Sequence, residues 1–312
     1  MENLYEIKKR MKSISDIGQM TRAMQLVSAA KMRRSKVTLE SATPFFTLCV
    51  ESMQEILQNS TDIDNPFLSL HEKPKGSTWK IAYFVLSGDQ GLAGSYNSNV
   101  VRHVEEHIQQ KILDNVKKDD KTTYTLYVFG KMAKEKLIKD GYVVDENFSY
   151  QLTEPTFYTA RNVASIIREK FISKDYDLVY IIYTHMESAI KMEPRVVRLC
   201  PVDKKTISSL LYEDVNDAGF AMNPGEVMEY NPNANLVFSF LINTYLNAIV
   251  YEAMVEAYSS EQTARMTAMD NASVNADEML VKLEQISNRA RQSKITNELT
   301  EIINGAEQAN NI

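Results

Sequence analysis

Two stretches of the 312-residue chain carry residue types at spacings from which chemistry could be built. The first is His103-Val104-Glu105-Glu106-His107, which matches the His-x-x-Glu-His zinc-protease string. Histidines four apart share one helix face and could hold zinc, with Glu106 as a base. A third ligand is required, however, and no neighbouring constellation nominates one, while His71 and His185 stand isolated. The string therefore reads better as an ordinary polar helix face, and no metal is expected. The second stretch is the loop Ser87-Gly88-Asp89-Gln90-Gly91-Leu92-Ala93-Gly94, which follows an apolar run and precedes a helical one, where α/β folds bind phosphate. It lacks the Gly-Lys-Ser/Thr ending of a P-loop, and its glycine spacing is not the dinucleotide pattern. It reads as a tight structural turn, and no cofactor is expected. Cys49 and Cys200 are far apart with no partner motif, which excludes a disulfide framework or a four-cysteine zinc site and fits a reducing compartment. No Ser/His/Asp or Cys/His arrangement stands out, so an enzyme acting by itself is disfavoured.

What remains is a chemistry of contact. Arg265, Arg289, Arg291, Gln292, Lys294, Asn297 and Glu298 interleave with an apolar seam in the carboxyl segment and suit contact with a surrounding protein. Simple solvation is the competing explanation for each of them. Near the amino end, Lys31, Arg33, Arg34 and Lys36 form a cationic cluster able to complement an acidic partner surface, again against the alternative of a solvated helix face.

The elements that must position these residues are long helices. Glycine and proline supply only 10 and 8 residues, and Asn233 to Asn304 is a run of 72 residues with neither. One unbroken helix there would be roughly 100 Å long. From Asn3 to Thr43 only Gly18 interrupts. Leu4, Ile7, Met11 and Ile14 follow 3, 4, 3 spacing, and Ile17, Met20, Met24 and Val27 repeat it after a three-residue phase shift, a coiled-coil seam with a stammer. Ala276, Met279, Leu283, Ile286 and Ala290 form a matching seam, continued in a new phase by Ile295, Leu299, Ile302 and Ala306. Each seam needs a partner. Between them, Lys80 to Leu86, Thr123 to Phe129, Asp177 to Tyr183 and Arg195 to Cys200 read as strands. The helical stretches Asn97 to Val116, Lys131 to Asp140 and Ala160 to Ser173 favour parallel strands joined by crossovers. The fold class is α/β: the two terminal helices pair antiparallel as a long coiled coil, with a Rossmann-like α/β domain inserted between them. The expected division is a helix and linker over 1–76, the α/β domain over 77–212, and a linker with the second long helix over 213–312.

Charge is distributed unevenly. The formal net charge is −6, which disfavours a protein whose whole surface neutralises nucleic-acid phosphates, yet residues 1 to 40 carry +5. No secretory signal opens the chain, and its apolar runs are short beside the about 20 residues of a membrane helix, so a soluble protein that docks on something membrane-bound is expected.

Three blocks then carry a resemblance. Met20 to Ser35 reads MTRAMQLVSAAKMRRS, Leu86 to Val100 reads LSGDQGLAGSYNSNV, and the end reads SSEQTARMTAMDNASVNADEM (Ser259 to Met279) and NRARQSKITNELTEIINGA (Asn288 to Ala306). In this order the chain resembles the γ subunits of bacterial F-type ATP synthases along nearly its whole length. The resemblance implies a central-stalk rotor, not itself catalytic, that couples ion flow to ATP synthesis. Its implied partners are the α3β3 hexamer, the ε subunit and the membrane ring of c subunits, and its implied location is peripheral, on the cytoplasmic face of a bacterial membrane. By matching position it implies contacts with α and β at Met24, Lys31, Arg34, Arg265, Arg291, Gln292, Asn297 and Glu298. It implies an apolar tip in an upper sleeve at Leu299, Ile302 and Ile303, and a foot facing ε or the c ring at Asp89, Gln90, Glu229 and Tyr230. The chain departs from the family pattern at Gln90, where an arginine is common, and at Lys294 and Asn297. A stand-alone α/β enzyme and a non-rotary coiled-coil tether are the alternatives.

Overall fold

The computed structural model describes residues 4–60, 63–69, 73–188, 191–202 and 230–310. The elements are α1 (Leu4–Asn59), β1 (Thr78–Leu86), α2 (Tyr96–Val116), β2 (Lys121–Phe129), α3 (Lys131–Lys139), α4 (Phe157–Ile172), β3 (Leu178–Met186), β4 (Met192–Cys200) and α5 (Ala234–Asn310). They divide into two compact units, residues 1–29 with 265–312, and residues 30–264.

The larger unit is built on a four-stranded sheet of order β2-β1-β3-β4. β1 pairs parallel with β2, from Thr78↔Lys121 to Leu86↔Phe129, and with β3, from Ile81↔Leu178 to Val85↔Ile182. The expectation of parallel pairing fails at β4, which runs antiparallel to β3, opposing Met192 to Met186 and Arg198 to Tyr180. The cause is connection length. Only Glu187 to Lys191 separate the two strands, whereas a parallel return needs a crossover of a dozen or more residues.

β1 is buried on both faces, which its continuous apolar run reflects. Ile81, Tyr83 and Val85 pack with Val100, Val104 and Ile108 of α2 and Leu137 of α3. On the opposite face Ala82, Phe84 and Leu86 join α4, through Val163, Ile167 and Phe171. The same core takes in Phe46, Val50, Met53 and Ile56 of α1 and the α5 stretch from Phe238 to Tyr258. That anchoring explains why α1 continues past Pro44, whose ring withdraws one helical amide but lies on the exposed side. α5 is also long and apolar enough, by length and composition, to cross a membrane. Short-run counting misses this because Asn243, Thr244 and Asn247 interrupt the pattern. The apolar residues Phe238, Ile242, Leu246 and Val250 are instead buried in the protein core.

The smaller unit pairs the first part of α1 antiparallel with the later part of α5. Its seam corrects the sequence expectation. Leu4, Ile7, Met11, Ile14, Gly18, Thr21, Gln25 and Ser28 face inward at unbroken 3–4 spacing, with no stammer. Ile17, Met20 and Val27, assigned to the shifted seam, are 52%, 64% and 54% exposed. On α5 the inward positions are Met269, Ser273, Ala276, Leu280, Leu283, Ser287 and Ala290, so Met279 and Ile286 each miss the seam by one residue and are exposed. Ile295, Leu299 and Ile302 are exposed as well; the side chain of Ala306 lies outside the described residues. Small residues draw the helices together: a Cβ on Gly18 would meet that of Ala276 at 3.4 Å. Arg22 fixes the register, its Nε donating to Ser273 Oγ at 3.1 Å and its guanidinium to the Asp277 carboxylate at 2.7 Å. Gln25 donates to Asp270 at 2.8 Å.

Candidate functional site

The two stretches with apparent chemistry are each committed elsewhere. In the loop after β1, the Gly88 amide, which a phosphate would need, donates to Asn97 Oδ1 at 2.9 Å, and the Gly88 carbonyl accepts from Met132 N. Ser87 Oγ donates to the Phe129 carbonyl at 2.6 Å, and a Cβ on Gly88 would lie 2.7 Å from Glu261 Oε1 of α5. Gly130, at φ 79°, packs so closely on this loop that a Cβ would sit 2.3 Å from the Ser87 carbonyl oxygen. The place a nucleotide would take is filled by the chain itself. His107 lies edge-on to Tyr83 and Tyr180, its Nδ1 3.3 Å from the Tyr83 hydroxyl. Burial, with Lys111 and His103 nearby, lowers its pKa to about 4. His103 faces Glu106 at 3.8 Å. Among the described residues no group of three or more His, Cys, Asp or Glu side chains converges on a point. Both cysteines are buried, and burial raises the Cys49 thiol to about 11, so neither offers a thiolate nucleophile at neutral pH.

The contact residues read from the sequence fall in several settings. Lys31 and Arg34 are exposed on α1, beside a cavity of about 410 Å³ also bordered by Thr38, Thr156, Val255 and Tyr258. Arg34 reaches Glu154 at only 3.9 Å and remains largely in solvent, so this pair adds little to stability. Met24 is half-buried. On α5, Arg291, Gln292, Asn297 and Glu298 are exposed, with Glu298 3.7 Å from Lys294. Arg289, Lys294, Asn297 and Glu298 border an open groove with Leu4 and Ile7 of α1. Leu299, Ile302 and Ile303 are 54%, 67% and 57% exposed, an apolar surface that the described residues leave uncovered.

Arg265 differs from the other cations, being 5% exposed. Asp89 is half-buried and accepts the Leu152 amide at 2.9 Å through Oδ2, which ties the loop to the segment before α4. Gln90 is exposed, Tyr230 is half-buried against the core, and Glu229 lies outside the described residues.

Two groups escape sequence reasoning. One is the outward apolar set Ile17, Met20, Leu26 and Val27, hidden by the assumption that apolar residues face a helical partner. The other is the buried polar run Glu256 to Thr263. Its signal is present in the sequence, since Ser259-Ser260-Glu261-Gln262-Thr263 interrupts an apolar stretch of helix, but Glu256 and Ser260 find their partners, His185 and Thr184, 71 and 76 residues away.

The family model described as "ATP synthase" matches residues 3–308. The chain is 41% identical over 307 residues to the "ATP synthase gamma chain" of Acetivibrio thermocellus, covering 98% of this chain and 99% of that one. It is 40% identical over 304 residues to the protein of the same name from Ruminiclostridium cellulolyticum, covering 97% and 98%. Among solved structures, a chain of the Euglena gracilis mitochondrial ATP synthase (OSCP/F1/c-ring, rotational state 3) aligns with TM-score 0.60 at 18% identity, covering 98% of this chain and 94% of that one. At that identity the likeness concerns the fold.

Proposed function

Because the chain belongs to the ATP synthase gamma-chain family, we propose that it turns inside an α3β3 hexamer and couples ion flow through a membrane sector to ATP synthesis. It is the central-stalk rotor subunit, a non-catalytic part of a membrane-associated complex. Catalysis belongs to the hexamer. Within the proposal the further partners are ε and the c ring, the foot is formed around Gln90 and Tyr230, and the location is the cytoplasmic face of a bacterial membrane.

The observation that carries the reading is the pairing of the chain's two ends with their apolar side chains turned outward. Two unlike helices have no threefold symmetry. Ile17, Met20 and Val27 on one helix and Met279, Ile286 and Ile295 on the other offer different surfaces to three chemically identical neighbours. A partner that contacts one face differently from another is biased toward a different conformation, and turning the pair permutes those biases. Arg291, Gln292, Asn297 and Glu298 supply polar contacts, worth about 1.5–3 kcal/mol each where a charged group is desolvated. Lys31 and Arg34 face an acidic element of β.

Reconstitution tests this reading. The isolated chain is expected to turn over no ATP and, added to α3β3, ε and the membrane sector, to restore ATP-driven ion pumping. Robust ATP turnover by the purified chain would contradict it and favour a stand-alone enzyme.

A further inference from the structure

In open α/β sheets the ligand crevice lies outside the carboxyl ends of the strands, where neighbouring strands send their connections to opposite faces. Here that point falls between β1 and β3, since α2 lies on one face and α4 on the other. It is occupied by α5.

From β3, the Thr184 carbonyl accepts Ser260 Oγ at 3.0 Å, and His185 Nδ1 lies 2.5 Å from Glu256 Oε1, a pair whose side chains are 15% and 7% exposed. Beyond β1, the Tyr96 hydroxyl donates to the Ala257 carbonyl at 2.9 Å, and Gly88 leaves its Cβ space to Glu261. Apolar packing holds α5 against the sheet, but the hydrophobic effect is non-directional. Hydrogen bonds displaced from the helix axis resist rolling, and buried polar groups are costly to unpair.

We infer that the buried cluster around Glu256, His185 and Ser260 is a torque joint, a set of positioning residues that locks α5 to the sheet so that rotation of the helix and rotation of the α/β domain are one motion. This rests on the rotor reading. It predicts that weakening the joint separates two activities that rotation normally ties together.

The test uses the complete complex in sealed vesicles, following ATP hydrolysis and the membrane potential it generates. Glu256→Leu is expected to lower ions moved per ATP hydrolysed by about threefold while hydrolysis persists, and Glu256→Gln, which keeps an acceptor for His185, to retain most coupling. The exchanged pair His185→Glu with Glu256→His should couple better than either single change. If Glu256→Leu does not assemble, Ser260→Ala removes one oxygen and should still reduce the ratio, by about 1.5-fold. An unchanged ratio in an assembled variant, or hydrolysis and pumping falling in proportion, overturns the joint. Failure of the unaltered chain to couple at all would overturn the rotor reading instead.

Discussion

The paired ends and the sheet-bound stretch of α5 are both helix against protein, yet they bury different mixtures of side chain. In the smaller unit the interface mixes Ile7, Met269 and Leu283 with Gly18, Thr21, Ser28, Ser273 and Ala276, while Ile17, Met20 and Val27 face out. In the larger unit Phe238, Ile242, Leu246 and Val250 are inside, and further along the same helix Glu256 and Ser260 bond to His185 and Thr184 of the sheet. Burial of apolar area stabilises by about 25 cal/mol per Å², so the larger unit is held firmly and the small-residue seam gains much less. The difference separates two kinds of join: one region grips, and the other holds register by close approach while leaving Ile17, Met20 and Val27 on the surface.

Substitutions sharpen this contrast. Gly130→Ala should be the most damaging, by about 3 kcal/mol or more in chemical denaturation of the isolated chain. The added carbon would lie 2.3 Å from a backbone oxygen at a φ of 79°, and neither can yield cheaply. Gly18→Leu should cost about 1–3 kcal/mol by forcing the paired helices apart, whereas Gly18→Ala should stabilise by about 0.5–1 kcal/mol. Its methyl reaches ordinary contact with Ala276 and removes a flexible residue from a helix. If Gly18→Ala destabilised as strongly as Gly18→Leu, close approach would not define the seam. Ile17→Ser with Met20→Ser should change the stability of the isolated chain by less than about 0.5 kcal/mol while weakening coupling in the complex. Loss of stability without loss of coupling would return these residues to a structural role.

Much of this was legible from residues alone. The four strands announced themselves as short β-rich runs, and the breaker-free stretches located both long helices. The seam was legible at Leu4, Ile7, Met11 and Ile14 but was lost beyond them, because a count of apolar residues cannot see its continuation through Gly18, Thr21 and Ser28. The count followed Ile17 and Met20 out to the surface instead. Arg265 looked like a surface cation because burial of a charge depends on partners that spacing does not reveal. Glu256 and His185 are 71 residues apart, and only the fold brings them together.

The most direct test attaches a probe to the α/β domain, at exposed Lys118 of the α2–β2 turn, in an assembly whose α3β3 hexamer is fixed to a surface. With ATP supplied, the account predicts unidirectional rotation of the probe with three dwell positions per turn. A probe that stays still while the same assembly hydrolyses ATP would contradict it.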